Sequence, residues 1–244
     1  MFGAGDFNNI GVYVASGRLW ADASGLVSNR TLTAYNLQRT GKVELTTMAG
    51  GAYWTHYSPW GGYLDAVVQL GRHRTEAASE AGRLKVDASD VIASLEAGYP
   101  VGIAAVPGLV IEPQAQVLWQ RIVFSNGYDR YSNIDPGVSV GASGRIGVRG
   151  RWRFTDMMGH VYQAYLRVNL WQDSGGRAML AYNHMHFAPL EDRSRRIEIS
   201  AGATARLSDS LALYGHVSWE KDIWTRHHQG RRSIGGAVGL SYTW

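Results

Sequence analysis

The stretch Ser233-Ile-Gly-Gly-Ala-Val-Gly-Leu-Ser-Tyr-Thr-Trp244 decides the fold, because its residues alternate with a period of two. One face carries the large apolar side chains, namely Ile234, Val238, Leu240, Tyr242 and Trp244. The other face carries only Ser, Gly, Ala and Thr. A period of two is that of a β-strand, so this stretch predicts a strand with one apolar and one small, polar face.

The same alternation recurs upstream and predicts about ten strands. In the segment 197–207 the apolar face opposes Glu198 and Arg206, and in 138–154 it opposes Arg145 and Arg149. Two early strands, roughly 9–21 and 43–57, alternate less cleanly and are inferred from β-rich composition and flanking turns. Most predicted strands have about 10–14 residues, whereas an average soluble strand has about 5–6 and a tilted membrane crossing needs about 9–11.

The connections between these strands alternate strictly in length. The short ones are 58–62, 101–108, 155–159 and 208–210, and the long ones are 22–42, 74–88, 124–137, 174–195 and 224–231. In a meander, alternate connections lie at the same end of the sheet. Short turns at one end and long loops at the other are typical of outer-membrane barrels. We therefore expect periplasmic termini and extracellular long loops.

Composition excludes several other classes of protein. Charged residues are 18% of the chain, there is no Cys, and the mean hydropathy is −0.20. No disulfide framework, Cys-bound metal or thiol nucleophile can exist, and no apolar run is long enough for a transmembrane helix. The net charge of +4 does not favour nucleic-acid binding, because the basic residues alternate within strands instead of forming a surface patch.

A soluble barrel or sandwich, with its apolar face inward, is the alternative fold. Two features oppose it. The polar face holds Arg, Glu, Gln and Asn along its whole length, as suits a wet lumen. Aromatic residues that resemble interfacial girdles lie near the ends of predicted strands, namely Trp119, Trp152, Phe154, Trp219 and Trp244. The predicted fold is an all-β, antiparallel, up-and-down transmembrane β-barrel.

Several stretches resemble the strands of a known family. They include Gly62-Tyr-Leu-Asp-Ala-Val-Val-Gln, Glu112-Pro-Gln-Ala-Gln-Val-Leu-Trp-Gln-Arg, Gly144-Arg-Ile-Gly-Val-Arg and the terminal Gly239-Leu-Ser-Tyr-Thr-Trp. In this order the chain resembles the autotransporter β-domain of type V secretion. The resemblance implies a bacterial outer-membrane pore of twelve strands, threaded by a helix that links it to an N-terminal passenger.

The resemblance also implies what the chain does and what it lacks. Residues 1–244 are expected to form the C-terminal part of one such barrel domain, without its first one or two strands, linker helix, passenger or signal peptide. The implied function is a translocator that anchors and helps to export its passenger. The implied partners are outer-membrane lipid, the barrel-assembly machinery and the passenger, with no cofactor. A stand-alone outer-membrane barrel acting as an adhesin or a channel is the alternative.

Two groups of residues are predicted to carry this function. A lumen-facing polar network comprises Asp65, Glu96, Glu112, Gln114, Gln116, Arg145, Arg149, Arg151, Arg153, Arg167, Asn169, Glu198, Arg206 and Glu220. Its arginines must be paired if they are buried, and the four glutamates are available as partners. Val238, Leu240, Tyr242 and Trp244 resemble the C-terminal signal that the barrel-assembly machinery reads.

No motif predicts an enzyme. Asn183-His184-Met185-His186 could place two imidazoles on a metal ion, but it lacks a third ligand nearby, and His227-His228 is interpreted as surface histidines. Asp65, His73 and Glu96 could form an acid–base site on the lumen face. Because Asp65 and Glu96 fall near the tight-turn end of their strands, a protease of the omptin kind is not expected.

Overall fold

The computed structural model describes residues 5–28, 35–79, 82–128, 133–157, 159–175, 177–182, 186–191, 193–208, 210–226 and 230–242. Nearly all of these residues lie in fifteen strands. The strands are β1 (Phe7–Ser28), β2 (Tyr35–Tyr57), β3 (Tyr63–Ser79), β4 (Gly82–Gly98), β5 (Val101–Gly102), β6 (Leu109–Phe124), β7 (Gly127–Tyr128), β8 (Asn133–Asp135), β9 (Val138–Thr155), β10 (Val161–Asp173), β11 (Arg177–Tyr182), β12 (His186–Glu191), β13 (Arg193–Arg206), β14 (Leu211–Arg226) and β15 (Arg232–Tyr242).

Ten long strands form one antiparallel meander in the order β1-β2-β3-β4-β6-β9-β10-β13-β14-β15. Each pairs with its neighbours in that order, so the predicted all-β, up-and-down architecture is confirmed. Among the described residues, β1 and β15 form the two edges of the sheet and do not pair with each other. The described part of the chain has no helix long and apolar enough to span a membrane.

The sheet is curved, with its polar side chains on the concave face. Tyr63 on β3 hydrogen-bonds Gln114 on β6 across the intervening β4, and Arg145 on β9 reaches Glu96 on β4 across β6. Contacts between strands two places apart require the side chains on that face to converge. The polar face is therefore the inside of the curve.

Burial is reversed relative to a soluble protein. Within the described residues, the buried polar side chains are Thr55, Asp90, Glu112, Gln114, Arg145, Asn169, Ser194, Glu198 and Ser200, whereas Ile134 is the single buried hydrophobic one. The convex face is apolar and open: Val68 is 52% exposed, Leu95 50% and Ile146 63%. Soluble domains bury their aliphatic side chains, so this pattern fits a wall with lipid outside and polar groups inside.

The tight turns lie close to their predicted positions, since β2 ends at Tyr57 and β3 begins at Tyr63. In this turn the Ser58 N–H donates to the Gly62 carbonyl at 2.8 Å, and Gly61 has a φ of 90° that favours glycine. The other three turns occupy 99–108, 156–160 and 207–210, and the first of them contains the short β5. We call this edge of the sheet the turn end and the opposite edge the hairpin end.

The predicted long loops were wrong in extent. Strand β1 runs to Ser28 and β2 starts at Tyr35, so most of 22–42 is strand. The segment 74–88 is likewise mostly strand, residues 224–226 still belong to β14, and 124–137 and 174–195 contain β7, β8, β11 and β12. The long strands have 11 to 23 residues: β10, β13 and β15 lie within the predicted 10–14, and the other seven are longer. Trp119 and Trp219 therefore lie well inside β6 and β14, away from the strand ends where we expected them.

In the hairpin-end extensions of β3 and β4 the convex face becomes polar. On the convex face Lys85 of β4 contacts Glu76 of β3 at 2.8 Å. This hydrogen bond and ion pair lower the pKa of the exposed Glu76 carboxyl. Polar residues on the convex face remove the alternation on which the strand prediction depended, while the backbone continues to pair.

Candidate functional site

The candidate site is the polar wall, by which we mean the concave-face side chains of β3, β4, β6, β9, β10 and β13. At its centre the Glu112 carboxylate of β6 is 1% exposed. Arg149 of β9 donates to Glu112 Oε1 at 2.6 Å, and an Arg151 nitrogen lies 3.6 Å from Oε2. Gln114 donates to Oε1 at 2.7 Å. A carboxylate buried this deeply is stable only with such partners.

A second ion pair is joined to the first through a tyrosine. The Tyr63 hydroxyl donates to Glu96 Oε1 at 2.6 Å and accepts from Gln114 Nε2 at 2.9 Å. Arg145 donates to Glu96 Oε2 at 2.6 Å, and its side chain is 4% exposed. Arg145, Glu96, Tyr63, Gln114 and Glu112 therefore form one continuous chain of polar contacts across four strands.

A third carboxylate, Glu198 of β13, accepts four hydrogen bonds from side chains. Arg167 and Ser200 donate to its Oε1 at 3.2 and 2.8 Å. Asn169 and Trp171 donate to its Oε2 at 3.1 and 2.8 Å. With both oxygens doubly satisfied, Glu198 holds the facing side chains of β10 and β13 in fixed positions.

Trp171 joins this carboxylate to the central cluster. The Arg145 guanidinium lies 5.4 Å from the Trp171 ring centroid and that of Arg196 lies 4.7 Å away, both within cation–π range. Arg196 also lies 3.9 Å from Asp173 and 4.0 Å from Glu220. Toward the hairpin end the wall borders a cavity of about 190 Å³, whose lining includes Ser143, Asp173 and Arg196.

A separate polar group lies on β2, β3 and β4. His73 Nδ1 is 3.0 Å from Thr47 Oγ1, and His73 Nε2 is 3.1 Å from Asp90 Oδ1. Gln120 donates to the other Asp90 oxygen at 3.2 Å. A Cβ on Gly71 would lie 2.1 Å from Asp90 Oδ1, so the missing side chain of Gly71 leaves room for this carboxylate.

The remaining predicted residues divide into those with partners and those without. Thr55 donates to Asp65, and Gln116 donates to Ser94 at 2.8 Å. Within the described ranges, the side chains of Arg153 and Arg206 make no hydrogen bond or ion pair, although the Arg153 backbone N–H donates to the Gly108 carbonyl at 3.0 Å. The acid–base site considered for Asp65, His73 and Glu96 is not assembled, because each of the three bonds a different partner.

Sequence reasoning left several members of the wall out of the predicted network. Tyr63, Trp171, Asp173 and Arg196 bridge its ion pairs, and the first two are aromatic residues that a search for charges passes over. The alternation of the sequence nonetheless indicated the face of two of them. Trp171 and Asp173 fall on the same face as Arg167 and Asn169, and Leu170 falls on the opposite, apolar face.

Some predicted residues lie outside the described part of the chain, namely Trp244, His184, His227 and His228, together with the side chain of His186. In the part that is described, no three His, Cys, Asp or Glu side chains are grouped so as to hold a metal ion. Val238, Leu240 and Tyr242 lie on β15 and are 90, 62 and 60% exposed.

Comparison with known proteins gives a consistent result. The family model for the autotransporter β-domain matches residues 4–218. The BrkA autotransporter of Bordetella pertussis is 29% identical over 179 residues, which are 69% of this chain and 17% of that protein. The probable autotransporter YfaL of Escherichia coli is 29% identical over 175 residues, 66% of this chain and 12% of that protein. The chain thus spans less than a fifth of the length of these relatives.

Solved structures share the fold at low sequence identity. The β-domain of the Bordetella autotransporter BrkA aligns with a TM-score of 0.62 at 20% identity, covering 96% of this chain and 92% of that one. The transport unit of AIDA-I from Escherichia coli aligns with a TM-score of 0.61 at 13% identity, covering 97% and 84%. Both come from autotransporters, one as the β-domain and the other as the transport unit.

Proposed function

This chain belongs to the autotransporter β-domain family, whose members reside in the bacterial outer membrane, and we propose that it anchors and helps to export an N-terminal passenger through its polar lumen. The observation that carries the proposal is the polar wall. Glu112 and Asn169 are each 1% exposed, and Glu96, Glu112 and Glu198 are each paired with an arginine.

Such a wall suits the passage of an unfolded polypeptide. The carboxylates of Glu96, Glu112 and Glu198 already accept hydrogen bonds from arginine and other side-chain donors, so none of these three is left to capture the backbone of a moving chain. An apolar lumen would instead bind the apolar side chains of the passenger through the hydrophobic effect. The wall is therefore hydrated and rigid, and it offers few strong contacts to a transient occupant.

The proposed orientation places the turn end in the periplasm and the hairpin end outside the cell. Aromatic rings cluster on the convex face at the turn end: the Trp152 and Phe154 centroids are 5.3 Å apart, and Phe154 stacks on Tyr162 at 5.3 Å. Rings of this kind favour the membrane interface. Short turns on the periplasmic side and long hairpins outside are the usual arrangement in outer-membrane barrels.

We assign the exposed β15 residues Val238, Leu240 and Tyr242, with Trp244, to recognition by the barrel-assembly machinery. An edge strand with an apolar face can pair with the open edge of another sheet, which is how β-augmentation works. This assignment is separate from the translocation role, since it concerns insertion and not the lumen.

The decisive test uses the whole protein with an epitope tag in its passenger segment. Surface exposure of the epitope is measured by protease shaving of intact cells, and folding of the barrel by its resistance to heat and detergent. We expect an exposed epitope on a folded barrel. An epitope that stays in the periplasm while the barrel is fully folded would refute the translocator role and favour a stand-alone adhesin or channel.

A further inference from the structure

Arginines interrupt the apolar convex face toward the hairpin ends of β3 and β6. On β3 the outward row runs Val68, Leu70, Arg72, and Leu70 is 61% exposed. On β6 it runs Val117, Trp119, Arg121, with Val117 62% exposed. Arg72 and Arg121 are both exposed.

The register of the sheet places a small hydroxyl residue between these two arginines. Arg72 of β3 pairs with Ser89 of β4, and Arg121 of β6 pairs with Val91, the next outward residue of β4. The two arginines are therefore two strands apart, about 10 Å laterally at about 4.8 Å per strand. Their long side chains can converge over Ser89, which is itself exposed.

This patch, consisting of Arg72, Arg74, Asp87, Ser89 and Arg121, has an excess of positive charge. Three arginines against one aspartate give it a net charge of +2. Asp87 lies 3.5 Å from Arg74, and both side chains are more than 60% exposed. Within the part of the chain that the structure describes, Arg72 and Arg121 have no ion pair or hydrogen bond, so both guanidiniums are available to an anion.

The height of the patch matches a lipid headgroup. From Tyr63 at the turn end to Arg72, β3 advances nine residues. At about 3.3 Å per residue and a tilt of about 40°, this corresponds to a rise of about 23 Å. The apolar band of an outer-membrane barrel is about 25 Å tall, so Arg72 lies where the hydrocarbon ends and the headgroups begin.

We propose that Arg72, Ser89 and Arg121 bind the phosphomonoester of an anionic membrane lipid whose acyl chains lie along Leu70, Val91 and Val117. Guanidinium groups bind phosphate through paired, charge-assisted hydrogen bonds, and the serine hydroxyl supplies a further donor. The apolar surface directly below the arginines favours a lipid over a free anion, because only a lipid has acyl chains that contact it. The proposal rests on the outer-membrane location and not on passenger export.

The test measures lipid binding to the whole protein, extracted from membranes in detergent, by native mass spectrometry. The probes are phosphatidic acid, diacylglycerol with the same acyl chains, and inorganic phosphate. The variant is R72Q/R121Q, and the matched control is R83Q, an exposed arginine further out on β4. Heat resistance shows that each variant is folded.

We expect phosphatidic acid to bind the parent protein and R83Q alike, and R72Q/R121Q about tenfold or more weakly. Diacylglycerol should bind poorly to all three proteins. Equal affinity of the parent and the double variant for phosphatidic acid would overturn the proposal. It would also be overturned if the parent protein bound diacylglycerol as tightly as phosphatidic acid. Inorganic phosphate binding as tightly as phosphatidic acid would also overturn it, in favour of a free-anion site. Surface exposure of the passenger epitope, measured in parallel, reports separately on the proposed function.

Discussion

The indole N–H of Trp171 donates a hydrogen bond of 2.8 Å to the carboxylate of Glu198. The guanidiniums of Arg145 and Arg196 both contact the same ring, with their centres 5.4 and 4.7 Å from its centroid. An aromatic residue thus occupies the middle of a charged wall. It connects the Glu96–Arg145 pair on one side to the Glu198 cluster on the other, so the ion pairs of the concave face act as one network.

This arrangement predicts a specific loss on replacing Trp171 with Phe. An aromatic ring stays beside both guanidiniums, although it is smaller and a weaker cation–π partner than indole, and Glu198 loses one of its four donors. We expect the free energy of unfolding in lipid bilayers to fall by about 1 kcal/mol. Trp219→Phe is the matched control, because that indole faces outward and has no hydrogen-bond acceptor among the described residues. Equal losses for the two variants would contradict a role for the Trp171 hydrogen bond.

The central ion pairs predict a larger loss at Glu112. Glu112→Gln removes the carboxylate of a side chain that is 2% exposed from the Arg149 and Arg151 guanidiniums, which are 31 and 34% exposed. Breaking a fully buried pair costs about 3–5 kcal/mol, and because water reaches both arginines we expect a smaller loss of about 2 kcal/mol. Glu220→Gln should cost less than about 1 kcal/mol, since Glu220 is 36% exposed and 4.0 Å from Arg196. Urea titration of the heat-modifiable protein in bilayers measures the unfolding free energy of both variants. If Glu112→Gln unfolds as Glu220→Gln does, water reaches the wall more freely than the burial of Glu112 indicates.

Glycines opposite tyrosines make a third, steric prediction. Gly202 is the direct cross-strand partner of Tyr165, and a Cβ there would lie 2.6 Å from the tyrosine ring and 2.8 Å from the Gly215 carbonyl oxygen. Gly202→Ala should therefore destabilise the folded sheet by about 1–3 kcal/mol. Gly144→Ala is the control, since a Cβ on Gly144 meets nothing within 4 Å. Thermal unfolding of the two variants should separate them clearly.

The division of the sheet into two faces could be predicted from sequence because the strand period is two. Once Glu112 and Gln114 were assigned to one face, Val117 and Trp119 had to lie on the other, and a slip of one residue would have reversed every assignment. This parity holds through the lipid-facing part of each strand, where apolar and polar residues alternate.

The hairpin-end extensions could not be predicted, because the lipid no longer constrains the convex face there. Arg74 and Glu76 are outward-facing and polar, so β3 loses its alternation while its backbone continues to pair with β2 and β4. The partners within the wall were also beyond sequence reasoning. The contact of Arg145 with Glu96 spans two strands and depends on the curvature of the sheet, which no local pattern records.

The two faces of β13 predict losses of stability of different size when a charge is introduced. Ala201 is exposed on the convex face, and Ala201→Arg should cost about 2–4 kcal/mol near the middle of the bilayer. Its neighbour Ser200 is a poor comparison, because it is 1% exposed and donates to Glu198. Thr204→Arg, on the half-buried concave face of the same strand, should cost much less. Similar losses for Ala201→Arg and Thr204→Arg, measured by unfolding in bilayers, would count against the lipid-facing assignment of Ala201.

The last prediction concerns Tyr242, which lies outward on the edge strand β15 and is 60% exposed. If this residue is part of an assembly signal, Tyr242→Ala should reduce the amount of barrel inserted in cells, with accumulation and degradation in the periplasm. Refolding of the purified protein into detergent should then be nearly unchanged, because no assembly machinery takes part. If Tyr242 is only an interfacial anchor, insertion should be normal and the finished barrel less stable. Ser241→Ala, on the opposite face of the strand, is the control for both measurements. Normal surface levels combined with poor refolding of Tyr242→Ala would reject the signal and establish the anchor.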